Sequence, residues 1–197
     1  MKKADRTKDF IIQKTAPLFN TRGFSGTSLN DMTEATGLTK GSIYANFKNK
    51  DEVALAVFDY NWRLLSKLIS KAMERKQTVM DKLMVYPSVY EQILKDPILR
   101  SGCPILNTAT ESDDTHPQLR REAAAAIVSW RNGLASLIQR GIDAGELNES
   151  LTAADTAFTI IALIEGSIMI SKLTGKPADR KRTRLTLENY ILNLRKI

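Results

Sequence analysis

The run from Thr27 to Glu52, TSLNDMTEATGLTKGSIYANFKNKDE, constrains this chain more than any other stretch, because its punctuation permits only short helices separated by sharp reversals. Thr27 and Ser28 can both cap a helix over 29–36: a side-chain oxygen there accepts from an otherwise unpaired amide of the first turn, and Asp31 places negative charge at that positive end. Gly37 ends the helix, since glycine takes the left-handed backbone that a reversal needs, and Thr39 caps a second helix from 40 to about 47. Asn49 with Glu52 opens a third in the manner of a capping box, with Lys50 in its first turn. Leu29, Met32, Leu38, Ile43 and Phe47 can close a small core among the three. What remains outward on the middle helix is Lys40, Gly41, Ser42, Tyr44, Ala45 and Asn46, a small, polar, partly cationic surface suited to a major groove; a helix made only for packing carries bulkier apolar residues.

This run resembles the DNA-binding segment of the TetR family of bacterial transcriptional repressors, whose pattern is a glycine turn, a Ser/Thr-Lys-Gly-Ser/Thr recognition helix ending in Tyr-x-x-Phe, and a lysine soon after. Here those positions are Thr39-Lys40-Gly41-Ser42, Tyr44 with Phe47, and Lys50. Ile11, Ile12, Ala16, Phe19, Gly23 and Phe24 are similar to the family's first helix and its glycine-aromatic exit. Several linked positions agree at fixed spacing, which makes the motif specific. There are departures: Met32-Thr33 stands where Ile-Ala is commoner, and Pro17 lies inside the first helix. Proline lacks the amide that would bond the carbonyl of Gln13, so a kink and not a break is expected there.

The resemblance implies an all-α fold: a three-helix helix-turn-helix DNA-binding domain over 4–64, with the motif at about 29–48, and a larger helical ligand-binding and dimerisation domain over 65–197. It implies that Lys40, Gly41, Ser42, Tyr44, Ala45 and Asn46 face double-stranded DNA, and that Thr27, Thr39, Tyr44 and Lys50 bond phosphates. Charge agrees. The chain carries a formal net charge of +7, and residues 1–50 hold nine Lys/Arg against four Asp/Glu, a surplus of five. A basic face alone is the ordinary solvated surface; joined to this spacing it reads as a phosphate-contacting one.

Beyond the motif the periodicity predicts helices over 52–75, over 79–94 with Pro87 as a break or kink, over 117–144 ended by Gly145, over 153–173 ended by Gly175, and over 180–194. Residues 96–116 read as the least regular part, and no strand pattern occurs. The helix over 153–173 is apolar around more of its circumference than a monomer's surface helix needs, and the resemblance implies that the last two helices of each subunit form a homodimer interface, matching a palindromic operator. Its longest apolar run, 157–170, is interrupted by Glu165 and falls short of the ~20 residues of a membrane span, so no membrane is expected.

The start MKKADRTKDF has no apolar segment of a secretory signal, so a cytoplasmic protein is expected. One cysteine, Cys103, excludes an intramolecular disulfide, and one histidine, His116, excludes a histidine-based metal cluster. No cofactor is called for. The segment Gly102-Cys103-Pro104-Ile105-Leu106-Asn107 resembles a Gly-Cys-x-x-x-Asn run found near the ligand cavity in a subset of the family. Candidate ligand-pocket residues are Tyr86, Tyr90, Cys103, Asn107, Trp130, Phe158, Glu165 and Met169, each of which plain core packing also explains. The expectation is a dimeric repressor released from its operator by a small molecule. The alternatives are a regulator without ligand control, whether constitutive repressor or activator, and, more remotely, an enzyme, against which stands the lack of a nucleophile-base pair, phosphate loop or metal-ligand spacing.

Overall fold

In the computed structural model of the chain the described residues are 3–93 and 98–196, and among them there are ten helices and no strand. In order they are α1 (Lys3–Arg22), α2 (Leu29–Thr36), α3 (Lys40–Tyr44), α4 (Lys50–Met73), α5 (Val79–Leu83), α6 (Val85–Ile93), α7 (Pro104–Ser112), α8 (Pro117–Asp143), α9 (Ala153–Thr174) and α10 (Pro177–Leu192). They make two compact units, Met1–Leu64 with Asp96–Ala125, and Leu65–Lys95 with Ala126–Ile197.

In the first unit, Ile11, Ala16 and Phe19 of α1, Met32 of α2, Ile43 of α3, Phe47, and Val53, Val57 and Phe58 of α4 are buried together with Ile105 and Leu119. Each large side chain withdrawn from water contributes about 1.5–3 kcal/mol, and that shared core holds three helices too short to stand alone. α1 runs unbroken through Pro17. The segment expected to be irregular contains a helix after all: Pro104 occupies the first helical position of α7, where its missing amide costs nothing. Gly102 and Pro104 are therefore boundary signals rather than signs of a long loop, and Pro97 lies outside the described residues.

The second unit corrects two further boundaries. The helix expected over 79–94 is divided at Met84 into α5 and α6, three residues before Pro87, which sits in the first turn of α6; a continuous helix would leave the Leu83 carbonyl without an amide from Pro87 and crowd it against the ring. Thr78 caps α5, and the Glu146 carboxylate also accepts the amides of Val79 (2.7 Å) and Met80 (3.2 Å). α10 begins at Pro177, three residues before the expected start, with proline again in a first helical position. α9 packs on α10, and its Ile160, Ile161, Ile164 and Ile168 are buried. By length and hydropathy α9 is the one helix among the described residues that could cross a membrane, with a mean of 1.6 over its best window. A core helix passes the same test, and α9 carries four buried isoleucines. Its other face is open: Phe158 is 63% exposed and Leu173 80%.

Candidate nucleic-acid interface

The reading elements are built by their caps. Ser28 Oγ accepts the amide of Asp31 (3.1 Å) while the Asp31 carboxylate accepts the amide of Ser28 (2.7 Å), a complete capping box at the start of α2. Arg22 Nη1 joins it at 2.6 Å. The Ser28 hydroxyl and amide, with Arg22, hold the Asp31 carboxyl below its ordinary value of 3.8. Gly37 closes α2 at φ 69°, its amide on the Thr33 carbonyl at 2.8 Å. Thr39 then caps α3, its hydroxyl accepting the Ser42 amide at 3.2 Å.

α3 is shorter than expected: the helix ends at Tyr44, and the amide of Asn46 bonds the Ile43 carbonyl in a tighter turn. This leaves Ile43 as the single buried residue of α3. Thr39, Lys40, Gly41, Tyr44 and Ala45 are exposed, Tyr44 by 43%, and Ser42 and Asn46 are half-buried. Asn46 Nδ2 donates to the Ser42 carbonyl at 2.9 Å, which fixes the amide along the helix. At the start of α4 the capping is displaced by a residue: Asn49 Oδ1 accepts the Glu52 amide (2.9 Å), but the Glu52 carboxylate accepts the amide of Lys48 (2.7 Å). That bond, helped by Lys8 at 3.4 Å, lowers the Glu52 carboxyl below its ordinary 4.5.

Two expected phosphate ligands are placed otherwise. Thr27 is fully buried, its hydroxyl donating to the Gly23 carbonyl at 2.7 Å. Lys50 Nζ donates to the carbonyls of Phe24 (2.9 Å) and Thr27 (3.2 Å) and lies 4.0 Å above the centre of the Phe24 ring. Its cation therefore ties α4 to the α1–α2 loop. The exposed cation of this turn is Lys48, which is not among the expected contacts. A signal for it existed: Lys50 is in register with the buried Val53 and Val57 on one face of α4, whereas Lys48 precedes the helix.

The ligand-pocket candidates are divided between the units. In the first, Cys103 is 1% exposed and precedes Pro104, and Asn107 Nδ2 donates to the carbonyl and side-chain oxygens of Asn20, each at 3.0 Å. Asn107 also lines a cleft of about 20 Å³ with Phe19, Asn20, Phe58 and Asn61, room for about one water. In the second, Tyr86 and Trp130 stack with centroids 6.2 Å apart, and burial raises the Tyr86 hydroxyl above 10.0. Glu165 is half-buried, while Phe158 and Met169 lie in the open on α9 and not inside the unit. The side chain of Tyr90 is outside the described residues.

Two short capped helices set around a glycine turn, the second with one buried residue and an exposed polar face, define a helix-turn-helix DNA-binding transcriptional regulator. Residues 11–57 match the family model described as bacterial regulatory proteins, tetR family, and residues 79–187 match the tetracyclin repressor-like C-terminal domain. The chain belongs to the TetR family. A TetR-family regulator from Cytophaga hutchinsonii is 43% identical with a TM-score of 0.95, over 100% of this chain and 98% of that one. Another, from Chloroflexus aurantiacus, is 34% identical with a TM-score of 0.92 over 100% of both. The transcriptional regulator TtgR of Pseudomonas putida is 28% identical over 170 residues, 84% of this chain and 80% of TtgR. The protein is accordingly a regulator and not an enzyme, and its family typically works as dimers.

Proposed function

We propose that the chain is a homodimeric repressor that reads a palindromic operator and is released from it by a small molecule bound in its helical body. The observation that carries the reading is the outer face of α3, where Lys40, Gly41, Tyr44 and Ala45 are exposed around a single inward residue, Ile43. In this reading Lys40, Gly41, Ser42, Ala45 and Asn46 meet the base edges, while the hydroxyls of Thr39 and Tyr44 and the ammonium of Lys48 take phosphates. Thr27 and Lys50 hold the module's shape. The open apolar residues of α9 and α10, Phe158, Met169, Leu173 and Leu192 among them, form the dimer contact, and two copies of α3 then fall about 34–36 Å apart or a multiple of it. Such a protein works in the cytoplasm, beside the chromosome.

Release rests on α4, a continuous helix of 24 residues that starts at the reading module and carries on into the second unit. A ligand lowers operator affinity only by as much as it prefers the conformation with mismatched heads. We also place the chain with those family members that carry a Gly-Cys-x-x-x-Asn run in the body. One observation favours a regulator without ligand control: Tyr86 and Trp130, both buried, stack on each other in the second unit. Selection of bound sites from genomic DNA, followed by operator titrations with compounds handled by the neighbouring genes, separates the two readings. Affinity that falls with a compound supports release; a compound that binds tightly and leaves affinity unchanged refutes it for that compound.

A further inference from the structure

The loop between α1 and α2 is held from α7. Glu111, in the last turn of α7, accepts the backbone amide of Phe24 on Oε2 at 2.6 Å and that of Ser25 on Oε1 at 2.7 Å. Successive amides converging on one anion form a nest, and such charge-assisted bonds are roughly twice as strong as neutral ones. Gly23 makes room for it: φ is 71°, and a Cβ there would come within 2.1 Å of Glu111 Oε2. A residue other than glycine would have to push the carboxylate away.

The same face of α7 carries Asn107, one turn before Glu111, and its amide is bonded to Asn20 in the last turn of α1. Asn20 Nδ2 in turn donates to the carbonyls of Ile98 (2.9 Å) and Gly102 (3.3 Å). Beyond the loop, His116 sets its ring edge-on to Phe24 at 4.6 Å and its Nε2 lies 2.9 Å from Asp51 Oδ1 at the start of α4. The exit of α1, the loop and the start of α4 are thus all fastened to residues 98–116. Ser28, the cap of α2, follows Ser25 by three residues, so the loop's geometry sets the direction in which α2, and α3 behind it, leave α1.

We propose that Glu111 is a positioning residue for DNA reading: by clamping the Phe24 and Ser25 amides it aims the reading helices, and a displacement of the 98–116 segment is felt at the operator through it. The proposal rests on the reading of α3 as the operator-reading helix. It gives the regulator a strut to the head that is separate from α4.

The test uses the full-length protein and an operator fragment recovered by selection. Glu111→Gln keeps the shape but replaces one acceptor with a donor, so one of the two amides loses its partner. Operator affinity is expected to fall about tenfold in protein that remains folded and dimeric, with an unchanged salt slope, because no phosphate contact is lost. Amide hydrogen exchange at Phe24 and Ser25 should rise in the same variant. Glu111→Asp, which keeps the charge and shortens the reach, supplies the second measurement should the glutamine variant fold poorly, and an intermediate loss is expected. A merely structural bond would lower the melting temperature and leave the affinity of folded protein at the wild-type value, which would overturn the proposal. Tyr44→Ala runs alongside. If it weakens binding and both Glu111 variants do not, the clamp alone is wrong; if it leaves binding unchanged, the reading of α3 fails and the proposal with it.

Discussion

Lys48 and Lys50 stand two residues apart and answer to different demands. Lys50 faces inward with Val53 and Val57, and its ammonium satisfies two loop carbonyls that would otherwise be left poorly paired. Lys50→Ala is therefore expected to destabilise the protein by about 1–3 kcal/mol in denaturant titration, the usual result of stranding partly buried acceptors. Lys48→Ala should leave stability alone, weaken binding across operator sequences alike, and reduce the salt slope by about one. The reverse pattern, with salt dependence lost from the Lys50 variant, would return Lys50 to the phosphates. Asn46→Ala should alter sequence preference as well as affinity. At this scale most of the inward set of the motif was legible: Met32, Ile43 and Phe47 are buried where the spacing put them, while Leu29 and Leu38 are half-buried. The destination of a long cation was not, because the Phe24 and Thr27 carbonyls that hold Lys50 are 26 and 23 residues away, and periodicity reports only neighbours on one helix.

The helices of the head depend on carboxylates at their starts, and this sets their behaviour in acid. Asp31 and Glu52 both titrate below their ordinary 3.8 and 4.5 in the folded state, so the folded state favours their ionised forms. The stability they add is complete above those ordinary values and disappears as the pH falls through the lower folded ones; between pH 5 and 8 it is flat. Melting curves should accordingly show an acid limb that begins near pH ~4, and Asp31→Asn should flatten part of it. An acid limb of equal size in that variant would show that the caps contribute little. Cap chemistry also explains which elements could be read in advance. α2 has its full signature, Ser28 with Asp31 at one end and Gly37 at the other, and its bounds are those the sequence indicated. α7 has no side-chain cap bond at Cys103, and its helix hides between breakers. The division of α5 from α6 has its local cause in Pro87, which cannot donate to the Leu83 carbonyl, but the break falls three residues earlier at Met84, an offset that spotting the proline alone does not give.

At the scale of the molecule, the outward apolar face of α9 and α10 is the surface that the proposed dimer would cover. Phe158 and Leu173 are 63% and 80% exposed in the isolated chain, and covering them is the gain a dimer offers. Phe158→Glu with Leu173→Glu should convert a dimer to monomers in sedimentation, and operator affinity should fall by orders of magnitude as the two heads lose their linkage. A variant that stays dimeric would move the interface elsewhere. The division of the chain into units has a practical consequence. Bacterial regulators invite domain swapping, in which a reading head of one is grafted onto the sensor of another, and the natural place to cut this chain would be near residue 64. Yet its first compact unit also contains Asp96–Ala125. A graft cut at 64 would carry the Phe24 and Ser25 amides into a foreign body that supplies no carboxylate for them, whereas one that brings residues 98–125 along keeps its own anchor. The transferable part of this protein is discontinuous in sequence.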